Sequence, residues 1–114
     1  MLRPCQDVQR LFRDVPPGST VEVSVDGPPG ACTVVWTLLG PGPDPTGTIS
    51  CPGRAAAGEV SVANATYVVV FDMQFNEDAT VAIGIELSSR APVRCTVSGE
   101  AGDRFKWLWP ILTD

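Results

Sequence analysis

From Thr20 the chain alternates, with Val21, Val23 and Val25 separated by Glu22, Ser24 and Asp26. That period of two is the pattern of a strand with one side on a core and the other in water, and "DGPPG" then turns the chain. "ACTVVWTLLG" predicts a second strand, with Val34, Trp36 and Leu38 on one face and Thr33, Val35 and Thr37 on the other. Trp36 is its expected core anchor, and the turn-dense "GPGPDPTG" ends it. A short strand "TISC" follows, then an exposed connection around Arg54 in "PGRAAAG", then "EVSVA", which alternates through Val60 and Val62. "TYVVVFDM" and "ATVAIGIEL" read as two apolar strands joined into a hairpin by "QFNEDA". In the first of them Tyr67, Val69, Phe71 and Met73 share a face, and Val68 and Val70 make the opposite face apolar too. Such a strand is expected at the centre of a sheet, covered on both sides. "VRCTVSG" and "RFKWLWPILTD" supply further strands, the last alternating Phe105, Trp107 and Trp109 before Pro110. At the other end Val8, Leu11 and Phe12 stand at helical spacing, which predicts a short N-terminal helix or an ordered arm stopped by "VPPG".

Strands at regular spacing with turn signals between them predict an all-β fold, an antiparallel β-sandwich, jelly-roll-like, of about seven to eight strands. A closed barrel is the alternative. At 114 residues the chain fits one domain with a core of its own. The expected division is an N-terminal arm or helix over 1–18, the sandwich over 19–98, and a tail or last strand over 99–114. Eleven Gly and eleven Pro agree with many tight turns.

Charge and composition narrow the chemistry. The formal net charge of -5 repels phosphate backbones, so no nucleic-acid partner is expected. The chain has no histidine, which removes the commonest general base and the commonest transition-metal ligand. Lys106 is the only lysine, and no nucleophile elbow or phosphate-cradling glycine loop occurs. No catalytic residue, cofactor or metal is therefore assigned. Cys5, Cys32, Cys51 and Cys95 are spread singly, without the C-x-x-C spacing of a zinc or redox motif. "MLRPCQDVQRLF" lacks the apolar core of a signal peptide, so the expected state is reduced thiols in a cytoplasmic setting. Two disulfides, in any of three connectivities, are the alternative. No apolar run has the length of a transmembrane segment.

"ATYVVVFDMQFN" followed by "ATVAIGIEL" resembles the signature of the GOLD (Golgi dynamics) domain, a β-sandwich module of secretory-trafficking proteins. Thr66, Tyr67, Phe71, Asp72 and Phe75 stand where that pattern has its counterparts, and "STVEVSV" and "CTVVWTLLG" resemble the family's first strands. The resemblance covers roughly residues 19 to 89. It departs at Met73 in place of Asn, at Ala65 in place of Gly, and in a short segment between Trp36 and Tyr67. It implies a non-catalytic module that recruits partner proteins or cargo, peripheral to Golgi or endosomal membranes. An immunoglobulin reading fails because Val69 stands where the second cysteine should follow Tyr67.

The remaining motifs have ordinary readings beside functional ones. Asp72, Asn76, Glu77 and Asp78 offer oxygen ligands, but Glu77 occupies the place where a calcium loop needs Gly. Asp72 is expected instead to accept backbone amides of the following turn. "NAT" at 64–66 is a glycosylation sequon, and Arg90 and Arg94 could meet an acidic group, although loop arginines are usually just solvated. Phe75, Trp107 and Trp109 are the expected exposed contacts of a protein partner, through a sheet edge or loop surface, with a final core strand as the ordinary reading of the two tryptophans and a membrane contact as a further alternative. A lectin-like, carbohydrate-binding sandwich and a secreted structural sandwich with two disulfides are the competing functions.

Overall fold

A computed structural model describes residues 2–9 and 11–114. Among these residues lie nine strands: β1 (Phe12–Val15), β2 (Ser19–Asp26), β3 (Cys32–Leu39), β4 (Thr46–Ser50), β5 (Gly53–Val60), β6 (Thr66–Phe75), β7 (Ala79–Leu87), β8 (Val93–Gly99) and β9 (Arg104–Thr113). They form two packed sheets, ordered β1-β9-β6-β3-β4 and β5-β2-β7-β8. All pairings between named strands are antiparallel except β1 with β9. The architecture is the predicted β-sandwich, with more strands than expected.

The alternation read from the sequence becomes one-sided burial. Val21, Val23 and Val25 of β2 face Val34, Trp36 and Leu38 of β3 across a core that also takes Tyr67, Val69, Phe71 and Met73 of β6. Dense packing of such a layer is the main source of stability, since a fully buried aliphatic or aromatic side chain contributes about 1.5–3 kcal/mol by leaving water. Phe71 and Trp109 meet edge to face with ring centroids 5.4 Å apart, a geometry that suits their quadrupoles. The indole N–H groups of Trp36 and Trp109 are buried without a hydrogen-bond partner among the described residues.

Four expectations need correction. The N-terminal helix is only a one-turn 3-10 segment, Cys5–Asp7, and Phe12 belongs to strand β1; Arg10, inside the expected helix, lies outside the described residues. Phe12 and Val15 are both buried against β9, and that tertiary pairing overrides the helical spacing. Second, "GRAAAG" is no loop. Residues 53–60 form the edge strand β5, with Arg54 opposite Ser24. Ala57 is the extra residue of a bulge there, and Gly58 follows it at φ +150°, a conformation that favours glycine. Val62 falls beyond that strand and is exposed.

Third, β6 and β7 do not pair as a hairpin; they lie in different sheets. Four Cα steps of about 3.8 Å separate Phe75 from Ala79, enough to cross the roughly 10 Å between packed sheets. The crossing is held by the Asn76 N–H on the Ala31 carbonyl at 2.8 Å and by the Asn76 side-chain amide donating to the Gly30 carbonyl at 3.2 Å. Fourth, β6 is central in its sheet but covered on one side only. Val68 and Val70 are half-buried on the outer face, because no third layer lies over them among the described residues.

The described chain ends are tied down. The Thr96 N–H donates to the Arg3 carbonyl at 2.9 Å along the β8 edge, and Cys5 is disulfide-bonded to Cys95 of β8. That bond corrects the expectation of reduced thiols for these two cysteines. At the far end Thr113 donates its hydroxyl to the Val62 carbonyl at 2.7 Å, and the Ala65 N–H donates to that hydroxyl at 2.9 Å.

Candidate binding face

Phe75, Trp107 and Trp109, the expected contacts, are all on the inner side of their strands. Phe75 is 1% exposed and Trp109 is fully buried, so neither is a surface contact. The Phe75 ring is pressed against Gly99, where an added Cβ would come within 2.5 Å of it, and it meets Phe105 edge to face at 5.8 Å. Trp107 is half-buried, packed on the core beside Phe105 at 5.4 Å. The sequence placed these rings on the right strands; what it did not show was which side of each strand the second sheet would cover.

The surface that does expose apolar side chains is the outer face of the five-stranded sheet. Its register builds adjacent rows across the three middle strands: Leu39, Val68 and Pro110, then Thr37, Val70 and Leu108, then Val35, Asp72 and Lys106. Leu108 is 53% exposed, Val35 42% and Leu39 40%. Their neighbours Val68, Val70 and Pro110 are half-buried, so the apolar positions are contiguous rather than scattered. Contiguous apolar surface of this kind marks an interaction site more often than isolated exposed side chains do.

Polar groups close one end of this face. Asp72 lies 3.9 Å from Arg104 in an ion pair across β6 and β9, and therefore does not cap the turn after β6 as expected. Lys106 stands directly opposite Asp72 and has no ion-pair partner among the described residues. Along β4, Thr46 donates its hydroxyl to the Trp36 carbonyl at 2.8 Å, which leaves the Thr37 hydroxyl to donate to it at 3.1 Å.

The outer face of the four-stranded sheet differs. Arg54, Ser24, Gly84 and Arg94 form one row across β5, β2, β7 and β8. The arginines stand at the ends over a low middle, giving a groove of about 520 Å³ lined also by Asp26 and Glu86. Gly84 makes the floor: an added Cβ would sit 2.7 Å from Ser24 Oγ. Arg54 pairs with Glu22 at 3.2 Å and Arg94 with Asp26 at 3.5 Å, both exposed. Sequence reasoning missed this row, because no local signal reports which residues four strands bring level.

Other sequence candidates are absorbed locally. Arg90 donates to the carbonyls of Arg13 and of Asp14, the latter at 2.8 Å. Asp78 accepts the Ala101 N–H at 2.9 Å. No group of three or more acidic, histidine or cysteine side chains suited to a metal ion occurs among the described residues. Asn64 of the sequon is exposed at a turn with φ +52°.

Two sheets with one apolar and one charged outer face define the molecule as a β-sandwich with two distinct surfaces. No protein-family model, curated protein or solved structure matches the chain.

Proposed function

We propose that the chain is a non-catalytic protein-binding module that docks its partner on the outer face of the five-stranded sheet. The observation that carries this reading is the contiguous apolar surface of Leu39, Val68, Val70, Leu108 and Val35 on the middle strands of that sheet. Lys106 at its end favours a partner with an apolar patch bordered by a carboxylate. Covering a half-exposed leucine such as Leu108 contributes about 1 kcal/mol, so several such side chains support a specific contact. The Cys5–Cys95 bond favours an oxidising compartment over the cytoplasm. The narrower trafficking role at Golgi membranes rests only on the sequence resemblance over roughly residues 19 to 89, and the buried Phe75 is not its contact residue.

The test compares partners captured by the immobilised chain with those captured by Leu108→Lys and Val70→Lys, using Glu86→Lys on the opposite face as the control. The reading predicts that the first two lose a partner which the control retains. If all three variants retain it, the five-stranded face is not the site. A polar-ligand reading, including carbohydrate, draws on the groove over Gly84. A thermal shift with a sugar panel that disappears in Arg94→Ala would favour it instead.

A further inference from the structure

Cys32 and Cys51 carry free thiols in this structure, and both are buried. They lie at the end of the β3–β4 ladder, one position beyond the pair Thr33 and Ser50. The Cys51 N–H donates to the Cys32 carbonyl at 3.1 Å, which continues the strand pairing to these two residues. An antiparallel cross-strand pair holds its Cα atoms about 4.5–5.5 Å apart, inside the span of about 4.4–6.8 Å that disulfides take. The site is a corner of the fold. Ser50 ends β4 in one sheet, Gly53 begins β5 in the other, and only Cys51 and Pro52 join them.

The geometry points to a second disulfide, Cys32–Cys51, which forms beside Cys5–Cys95 when the chain folds in an oxidising medium and locks the corner between the two sheets. This selects one of the three pairings that four cysteines allow. The oxidant is a small-molecule disulfide such as oxidised glutathione. Cys51 loses its proton and attacks one glutathione sulfur, releasing the first glutathione thiol. Cys32 loses its proton, displaces the second glutathione from the mixed disulfide, and leaves the protein bond. Two cysteine thiols are oxidised, one glutathione disulfide is reduced to two thiols, and the two protons pass to those thiols.

The environment fixes when this happens. Burial, then the neighbouring Cys51, pushes the Cys32 thiol up to about 12, and burial also raises Cys51. Thiolate is the attacking species, so the closed core reacts slowly and the bond enters while the chain is folding.

The test refolds the denatured, reduced chain in a glutathione redox buffer, blocks free thiols with an alkylating agent in denaturant, and cleaves before aspartate. Asp26 and Asp44 then place Cys32 in the 26–43 peptide and Cys51 in the 44–71 peptide. The inference expects these two peptides joined without reductant and separate with it. Recovery of both peptides alkylated, or joined to a peptide carrying Cys5 or Cys95, would overturn it. The double variant Cys5→Ala/Cys95→Ala isolates the pair. It is expected to lose both free thiols on oxidation and to unfold at a lower temperature after reduction; alkylation of both cysteines there equally refutes the bond.

Discussion

The two outer faces of the sandwich are built from strands of similar length and similar alternation, yet they differ in chemistry. On the four-stranded face the solvent-side positions hold Glu22, Ser24, Asp26, Arg54 and Arg94, and charges of opposite sign stand within 3.5 Å across strands. On the five-stranded face the equivalent positions hold Val35, Leu39, Val68, Val70 and Leu108. Water solvates the first surface at no cost, whereas the second keeps apolar area that an additional layer would cover. The difference teaches that core and surface are separate questions: the inner faces of both sheets carry the core, and the outer faces differ, one charged and one apolar.

Three experiments break or sharpen that comparison. The largest effect is expected from Cys95→Ser. The disulfide closes a sequence separation of 90 residues, for which chain entropy gives up to about 4.5 kcal/mol. Equilibrium denaturation should show that loss, and freeing the N-terminal segment should uncover the β8 edge of the polar sheet and promote self-association.

Next, Phe75→Ala should cost about 3–4 kcal/mol in the same denaturation measurement because it empties a fully packed site. Leu108→Lys, on the outer face of the neighbouring strand, should stay within about 0.5 kcal/mol of the parent while abolishing partner capture. An equal stability loss in both variants would erase the distinction between inner and outer positions.

The smallest effect tests the floor of the charged groove. Gly84→Ala places a methyl 2.7 Å from Ser24 Oγ, and should lower stability by about 1 kcal/mol. Adding Ser24→Ala should restore most of it, since the clash is with that hydroxyl; failure of the rescue would locate the strain in the backbone instead.

The legibility of the fold follows the strength of local patterns. β2, β3, β6 and β7 were readable because valine, isoleucine and aromatic residues at period two have few alternatives to a half-buried strand. β5 was not, because Gly-Arg-Ala-Ala-Ala-Gly carries little strand propensity and is held by pairing with β2 and by the bulge at Ala57. β1 was misread since Val8, Leu11 and Phe12 fit a helical spacing over too few residues to nucleate one. The candidate site was legible only in part. "FKWLWPIL" drew attention to β9, but to its tryptophans; the exposed apolar residue is Leu108, between them.

By itself, then, the sequence determined that β2, β3, β6 and β7 extend, which residues within them share a side, and that histidine-based chemistry is absent, because each of these depends on a residue and its near neighbours alone. Only the tertiary structure decided that the short link after Phe75 crosses between sheets, that Phe75 and Trp109 face inward, that Cys5 meets Cys95, and that the backbone of Cys51 is held on that of Cys32. Strand order and sheet assignment are long-range choices. They are made by which apolar faces bury each other most completely, a quantity that no single stretch of chain contains.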